Sequence, residues 1–133
     1  MDNILTFDVE DWFEGLDPEP ENWSRYEARI EGSTEKVLKI LARHNTRATF
    51  FFLGYIAKRY PGLVSRVCDE GHEVGVHGYF HRFIYRQTIN EFKEEVIRAK
   101  ETLEEITGLQ HLPDLQPQIW HPQGEERSPQ TCL

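Results

Sequence analysis

Short apolar runs and longer amphipathic stretches alternate along the first 108 residues of the chain. The apolar runs are rich in β-favouring residues, which is typical of strands that are buried in a parallel sheet. We therefore predict three short buried strands, at residues 3–7 (NILTF), 47–54 (RATFFFLG) and 72–76 (HEVGV).

The amphipathic stretches carry apolar residues three and four positions apart, as a helix with one buried face requires. They predict helices at residues 33–45, 61–71 and 88–108. Ser33 or Thr34 is predicted to cap the first helix. The acidic, proline-containing segment 14–32 is predicted to be a surface loop. Because strand and helix alternate three times, the pattern predicts an α/β fold with a parallel sheet.

The composition changes at Leu109, after which four prolines and five glutamines occur without helical or strand periodicity. We predict one domain over residues 1–108 and an irregular Pro/Gln-rich tail over residues 109–133. If residues 113–126 are back-translated and the frame is shifted by one base, the genetic code permits a peptide that regains apolar spacing. We therefore interpret the tail as out of frame, and the domain as truncated.

Charge and composition argue against several classes of protein. The 15 Lys and Arg residues are outnumbered by 23 Asp and Glu residues, for a net charge of -8. Neither nucleic acid nor an anionic membrane is therefore a predicted partner. The sequence shows no apolar run long enough to span a membrane and no signal peptide, which predicts a cytoplasmic protein. Cys68 and Cys132 fit no zinc-ribbon or disulfide spacing, and a reducing compartment agrees with this prediction.

Three carboxylates lie together in the segment FDVEDWF, and two histidines lie in VGVHGYFH; these residues are Asp8, Glu10, Asp11, His77 and His81. Burying such acids is unfavourable unless a cation or a hydrogen-bond donor compensates their charge. The two segments end predicted parallel strands, whose carboxyl ends share a pocket. Two imidazoles and one carboxylate leave an open coordination position, as in catalytic zinc sites. The sequence therefore predicts a divalent-metal site, with Zn²⁺ as the expected ion.

The segments LTFDVEDWF and RATFFFLGYIAKRYPGLVSRVCDEGHEVGVHGYFHRFIY resemble the polysaccharide deacetylase family, which is the NodB-homology domain of carbohydrate esterase family 4. Within that family they are most similar to the bacterial branch that is associated with exopolysaccharide production. The resemblance covers about residues 3–108. It implies a partial distorted (β/α) barrel that comprises the first three β/α units. It also implies metal-dependent removal of N-acetyl groups from sugar polymers.

The resemblance assigns the general base to Asp8 and two metal ligands to His77 and His81. The metal-binding carboxylate falls on Glu10 or Asp11, because the sequence departs from the adjacent Asp-Asp pair that is usual in the family. Strand alternation places Glu10 on the same face as Asp8. The residue type favours Asp11 if the strand ends in a turn. Both alternatives remain open at this point.

Other features of the two motifs bear on substrate binding and on completeness. Trp12 is a candidate for stacking on a sugar ring, with packing at the strand end as the alternative. Gly78 stands where many family members have Ser or Thr. The resemblance implies a later Arg-x-Pro motif and a distant catalytic histidine, and the sequence after residue 108 contains neither of them.

The sequence thus predicts a hydrolase of non-peptide C–N bonds, a metal-dependent polysaccharide N-deacetylase that is truncated and weakly active or inactive. Its expected substrate is an acetylated polysaccharide or a lipid-linked oligosaccharide. The alternatives are a hydrolase of small cyclic amides on the same fold and a non-catalytic metal-binding fragment. A parallel sheet that is not closed leaves an unpaired edge, which predicts self-association.

Overall fold

A computed structural model of the protein describes residues 4–109. Three strands form one parallel sheet in the order β1-β2-β3, namely β1 (Thr6–Val9), β2 (Thr49–Phe52) and β3 (Glu73–Val76). The register pairs Val9 with Phe52 and Phe52 with Val76, so the three strands end at the same level. The residues that follow β1 and β3 therefore leave the sheet at one common edge.

Helices connect the strands and follow the last of them. The α-helices are α1 (Ile30–Arg43), α2 (Gly54–Arg59), α3 (Pro61–Asp69) and α4 (Ile89–Thr107), and two short 3-10 helices span Pro20–Arg25 and Ile84–Arg86. This arrangement confirms the predicted α/β class, in which each parallel strand is followed by at least one helix.

The core is centred on β2, all four residues of which are buried. Phe50 and Phe52 are almost fully inaccessible to solvent, and α1 adds Leu38, α3 adds Val64, and α4 adds Leu103 to the same cluster. A central parallel strand is covered on both faces, which explains why β2 carries three consecutive phenylalanines after Thr49 instead of alternating apolar and polar residues.

The start of α1 differs from the sequence-based prediction. The helix begins at Ile30, and Thr34 lies buried inside it, so a cap at Ser33 or Thr34 was wrong. No local side chain caps this helix; instead the carboxylate of Asp11 accepts hydrogen bonds from the backbone N–H groups of Arg29 and Ile30. Because this cap lies 18 and 19 residues away in sequence, no local pattern could have located it.

Two other boundaries also differ. β1 extends to Val9, so Asp8 lies within the strand and not after it. Gly54, which was predicted to close the second strand, instead begins α2, a short helix that the periodicity did not predict.

The last predicted helix is confirmed. Thr88 and Glu91 form a reciprocal capping box at the start of α4, and Gly108 ends the helix in the left-handed conformation. The predictions for residues 109–133, including the out-of-frame tail and the domain boundary, fall outside the described residues except at Leu109. Within residues 4–109, no helix is long and apolar enough to cross a membrane.

Candidate metal centre

Three side chains that follow the two outer strands, β1 and β3, converge at the carboxyl edge of the sheet. Glu10 follows β1, His77 follows β3, and His81 lies one short loop later. The Glu10 Oε2 atom is 3.6 Å from His77 Nε2 and 3.2 Å from His81 Nε2. One ligand atom from each of the three residues lies within 4.8 Å of the others.

Several of these atoms are buried without hydrogen bonds in the part of the chain that the structure describes. Glu10 Oε2 and both ring nitrogens of His77 are buried, and none of them has a hydrogen-bond partner among residues 4–109. Zinc bonds of about 2.0–2.1 Å in a tetrahedron place neighbouring ligand atoms about 3.3 Å apart. Two nitrogens and one oxygen at such separations suit Zn²⁺ and leave its fourth position open. The residues that are present therefore fit a divalent ion.

The electrostatics of the cluster favour an ionised carboxylate. The adjacent His77 imidazole, opposed in part by burial and assisted by nearby His81, holds the pKa of Glu10 below its usual value. An ionised glutamate is the form that binds a metal ion, so Glu10 has the protonation state of a ligand at neutral pH.

Asp8 is placed beside the cluster and not within it. Its Oδ2 atom is 4.0 Å from His77 Nε2, and about half of its side-chain surface is exposed. Asp8 and Glu10 thus point to the same side of the chain, as strand alternation predicts. A solvent-accessible carboxylate at this position can exchange a proton with water beside the cluster.

Asp11 is directed away from the histidines. Its side chain is only 4% exposed. Oδ2 accepts the N–H groups of Arg29 at 2.7 Å and Ile30 at 3.1 Å, and Oδ1 accepts that of Trp12 at 3.0 Å. Of the two carboxylates that the sequence left open, the structure brings Glu10 to the histidines and uses Asp11 as a helix cap.

The loop that carries the histidines is fixed by backbone hydrogen bonds. His77 N–H donates to Phe52 O at 2.9 Å, and the first N–H groups of α2, from Gly54 and Tyr55, donate to the carbonyls of Gly78 and Tyr79 at 2.8 and 3.1 Å. Helix N-termini have N–H groups without intrahelical partners, and this loop satisfies two of them. The helix that periodicity missed, α2, therefore holds the histidine-bearing loop in place.

Gly78 adopts a φ of +103°. Residues with a Cβ rarely adopt this conformation, which explains why glycine follows His77 in this loop. The Ser or Thr that the resemblance leads one to expect here would be strained in this backbone.

Trp12 follows Asp11 in the chain and is 45% exposed. Its indole N–H donates to Glu27 O at 3.1 Å, and the ring meets Tyr26 edge to face. Together with Leu16 and Pro18, these rings line a surface depression of about 350 Å³. The depression offers aromatic surface to a ligand, close in sequence to Glu10.

Glu14 is a buried acid in this region that the sequence analysis did not single out. Glu14 is 2% exposed, and its Oε2 atom accepts the N–H of Asp11 at 2.7 Å. Its position in a polar, acidic segment predicted an exposed loop residue, and only the presence of Phe13 beside it suggested burial.

A parallel α/β sheet with a carboxylate and two histidines at the carboxyl edge of its strands defines a class of barrel-type domains that can carry a metal centre. A family model described as polysaccharide deacetylase matches residues 4–117. The chain belongs to the polysaccharide deacetylase family. The family is named for deacetylation, and the family membership that the sequence motifs implied is confirmed.

Individual relatives agree with this assignment. The chain is 37% identical over 75 residues to a peptidoglycan-N-acetylglucosamine deacetylase of Bacillus cereus, covering 56% of this chain and 27% of the relative. It is 37% identical over 79 residues to the peptidoglycan-N-acetylmuramic acid deacetylase PdaA of Bacillus subtilis, covering 59% and 30%. The structure of a family 4 carbohydrate esterase from Bacillus anthracis superposes with a TM-score of 0.63 at 28% identity, covering 82% of this chain and 44% of that one. The matches thus span less than half the length of these relatives.

Proposed function

We propose that the chain carries the metal centre and the general base of a metal-dependent polysaccharide N-deacetylase. The observation that supports this proposal most directly is the convergence of Glu10, His77 and His81. In this cluster Glu10 Oε2 and both ring nitrogens of His77 are buried and lack hydrogen-bond partners within residues 4–109. Such atoms are costly to bury unless something compensates them, and a divalent ion does so.

In this proposal Glu10, His77 and His81 hold the ion, and Zn²⁺ is the expected metal. A bound divalent ion would supply Lewis acidity toward the acetyl carbonyl group of the substrate. Asp8 lies beside these residues with about half of its side chain exposed, so water and substrate could approach a bound ion from that side.

Asp8 acts as the general base. Its Oδ2 atom is near enough to the cluster to take a proton from an attacking water molecule, and its exposure allows that proton to return to solvent. The fixed loop around Gly78 keeps the histidines in place while the substrate binds. The Trp12 ring would stack on a sugar ring that lies in the adjoining depression, and this contact would position the acetylated residue.

The proposed substrate is a glycan with N-acetylated amino sugars. The two curated relatives act, by their names, on N-acetylglucosamine and N-acetylmuramic acid of peptidoglycan. The sequence motifs favour an exopolysaccharide or its lipid-linked precursor, and N-acetylhexosamine is common to both classes. We therefore propose an N-acetylhexosamine polymer as the substrate class.

The test measures metal binding and turnover separately on the full chain. Zn²⁺ titration by calorimetry is expected to give one ion per chain, and His77→Gln is expected to abolish it. Asp8→Asn is expected to keep Zn²⁺ affinity within a few-fold and to lower acetate release from chitin oligomers by about 100- to 10,000-fold, because it removes the general base. An Asp8→Asn variant that releases acetate at the wild-type rate would contradict the assigned role.

The short match to the relatives supports a second candidate, a non-catalytic metal-binding chain. Zn²⁺ binding at one ion per chain without acetate release, from either chitin oligomers or peptidoglycan fragments, would favour this candidate. Turnover of a small cyclic amide instead of a glycan would favour the third possibility that the sequence left open.

A further inference from the structure

Asp11 makes an unusually complete set of hydrogen bonds for a residue next to a metal ligand. Its carboxylate accepts three backbone N–H groups, from Trp12, Arg29 and Ile30. Its own N–H donates to Glu14 Oε2, and its carbonyl oxygen accepts the N–H of Glu14. The backbone at this residue is therefore fixed on both sides of the side chain.

The charge of Asp11 is compensated without an ion. Two of its three donors are the first N–H groups of α1, where the helix dipole favours a negative charge. The three backbone N–H groups occupy both oxygens of the carboxylate. Asp11 consequently has neither a free orientation toward the histidines nor an unbalanced charge that a cation would neutralise.

Glu10 lies between two anchored points. On one side Val9 is the last paired residue of β1, opposite Phe52. On the other side Asp11 is bound to the N-terminus of α1. Among residues 4–109, Glu10 Oε2 has no hydrogen-bond partner, and it contacts the histidine nitrogens themselves at 3.2 and 3.6 Å. Apart from these contacts, the direction of Glu10 depends on the backbone that Asp11 fixes.

We propose that Asp11 is a positioning residue, not a ligand: by binding the N-terminus of α1 it holds Glu10 in the orientation that completes the metal centre with His77 and His81. This inference rests on the proposed metal centre, and it assigns the two adjacent acids of the segment VED to different tasks. Although α1 supplies no ligand, its contact with Asp11 would thus affect how tightly the site binds metal.

The experiment compares Asp11→Asn with Glu10→Gln in the full chain, using Zn²⁺ titration and the visible spectrum of the Co²⁺-loaded protein. Asp11→Asn is expected to weaken Zn²⁺ binding by about 10- to 100-fold, the usual effect of losing a group that orients a ligand. It is also expected to keep one ion per chain and the Co²⁺ spectrum of the wild type at saturation, because the ligands are unchanged. Glu10→Gln is expected to alter that spectrum, because it replaces a ligand.

A control separates positioning from a general loss of stability. Thr88→Ala removes the side-chain cap of α4 and so lowers stability, but it leaves the α1 contact intact, so Zn²⁺ affinity is expected to stay at the wild-type value. Asp11→Ser, which retains a capping oxygen, is expected to fold if Asp11→Asn does not, and to show the same weakened binding with an unchanged spectrum.

Two results would overturn the inference while leaving the metal centre in place. One is a saturated Co²⁺ spectrum that changes in Asp11→Asn and not in Glu10→Gln, which would make Asp11 the ligand. The other is an unchanged Zn²⁺ affinity in both Asp11 variants. A wild-type chain that binds neither Zn²⁺ nor Co²⁺ would instead overturn the proposed function, and the inference with it.

Discussion

Glu14 is a buried carboxyl side chain in a small domain. It is 2% exposed, and its Oε1 atom has no hydrogen-bond partner among residues 4–109. Burial, reinforced by the nearby charges of Asp11 and Glu10, raises the pKa of Glu14 from 4.5 to about 8. The folded protein therefore keeps a proton at neutral pH that the unfolded chain releases.

The sign of the pH dependence follows from this raised pKa. The contribution of Glu14 to stability is fully present below about pH 4.5 and is lost as the pH rises through about 8. Glu14→Gln, which cannot ionise, is expected to flatten this dependence and to be more stable than the wild type by roughly 3 kcal/mol at pH 7. Urea unfolding at pH 5 and pH 8 measures it, with the exposed Glu105→Gln as the control. An equal pH slope in wild type and Glu14→Gln would show that Glu14 ionises freely.

At the scale of elements, the contact between α2 and the histidine loop determines the geometry of the site. A Cβ added at Gly54 would overlap the ring of Tyr79 and lie 2.9 Å from Ala99 Cα of α4. The guanidinium of Arg98, also on α4, lies over the Tyr79 ring, 3.7 Å from the ring centre. Tyr79 is therefore enclosed between two helices, and its loop has no room to shift without cost.

We expect Gly54→Ala to lower the free energy of unfolding by about 1–3 kcal/mol through overpacking. Because Tyr79 lies between His77 and His81, the same variant is expected to weaken Zn²⁺ binding. The matched control is Gly62→Ala in α3, where a Cβ meets nothing within 4 Å and alanine favours the helix. Thermal unfolding and Zn²⁺ titration of both variants provide the test. Equal behaviour of the two variants would show that the Gly54 contact does not constrain the loop.

At the scale of the whole molecule, the described sheet has two strands without an outer neighbour. β2 is paired on both sides, whereas β1 and β3 each have one unpaired edge among the described residues. Ile4, which precedes β1, is 83% exposed. Unpaired edges flanked by apolar side chains promote association between chains.

The 133-residue chain is therefore expected to self-associate through a sheet edge, with an apparent mass that rises with concentration. Size-exclusion chromatography with light scattering measures this mass. Ile4→Lys places a charge beside the edge of β1 and is expected to shift the equilibrium toward monomer, whereas Lys36→Arg on α1 is expected to leave it unchanged. A wild-type chain that remains monomeric and unfolds in one sharp thermal transition would contradict the prediction.

The sequence by itself determined the strand–helix alternation, the extent of α4, and the acidic segment and the two histidines that meet at the candidate metal centre. These features depend on local periodicity and on capping residues such as Thr88 and Gly108, or on the rule that parallel strands share a carboxyl edge. The alternation of strands and helices was therefore confirmed, although α2 was not predicted and boundaries moved by a few residues.

Only the tertiary structure decided which acid joins the histidines. Glu10 and Asp11 are adjacent, and their difference arises because the N-terminus of α1 packs against Asp11 across 18 residues of sequence. The burial of Glu14 and the requirement for glycine at position 54 likewise depend on side chains that are distant in the chain. Periodicity predicts which face of an element is buried, but it does not predict which residues pack against that face.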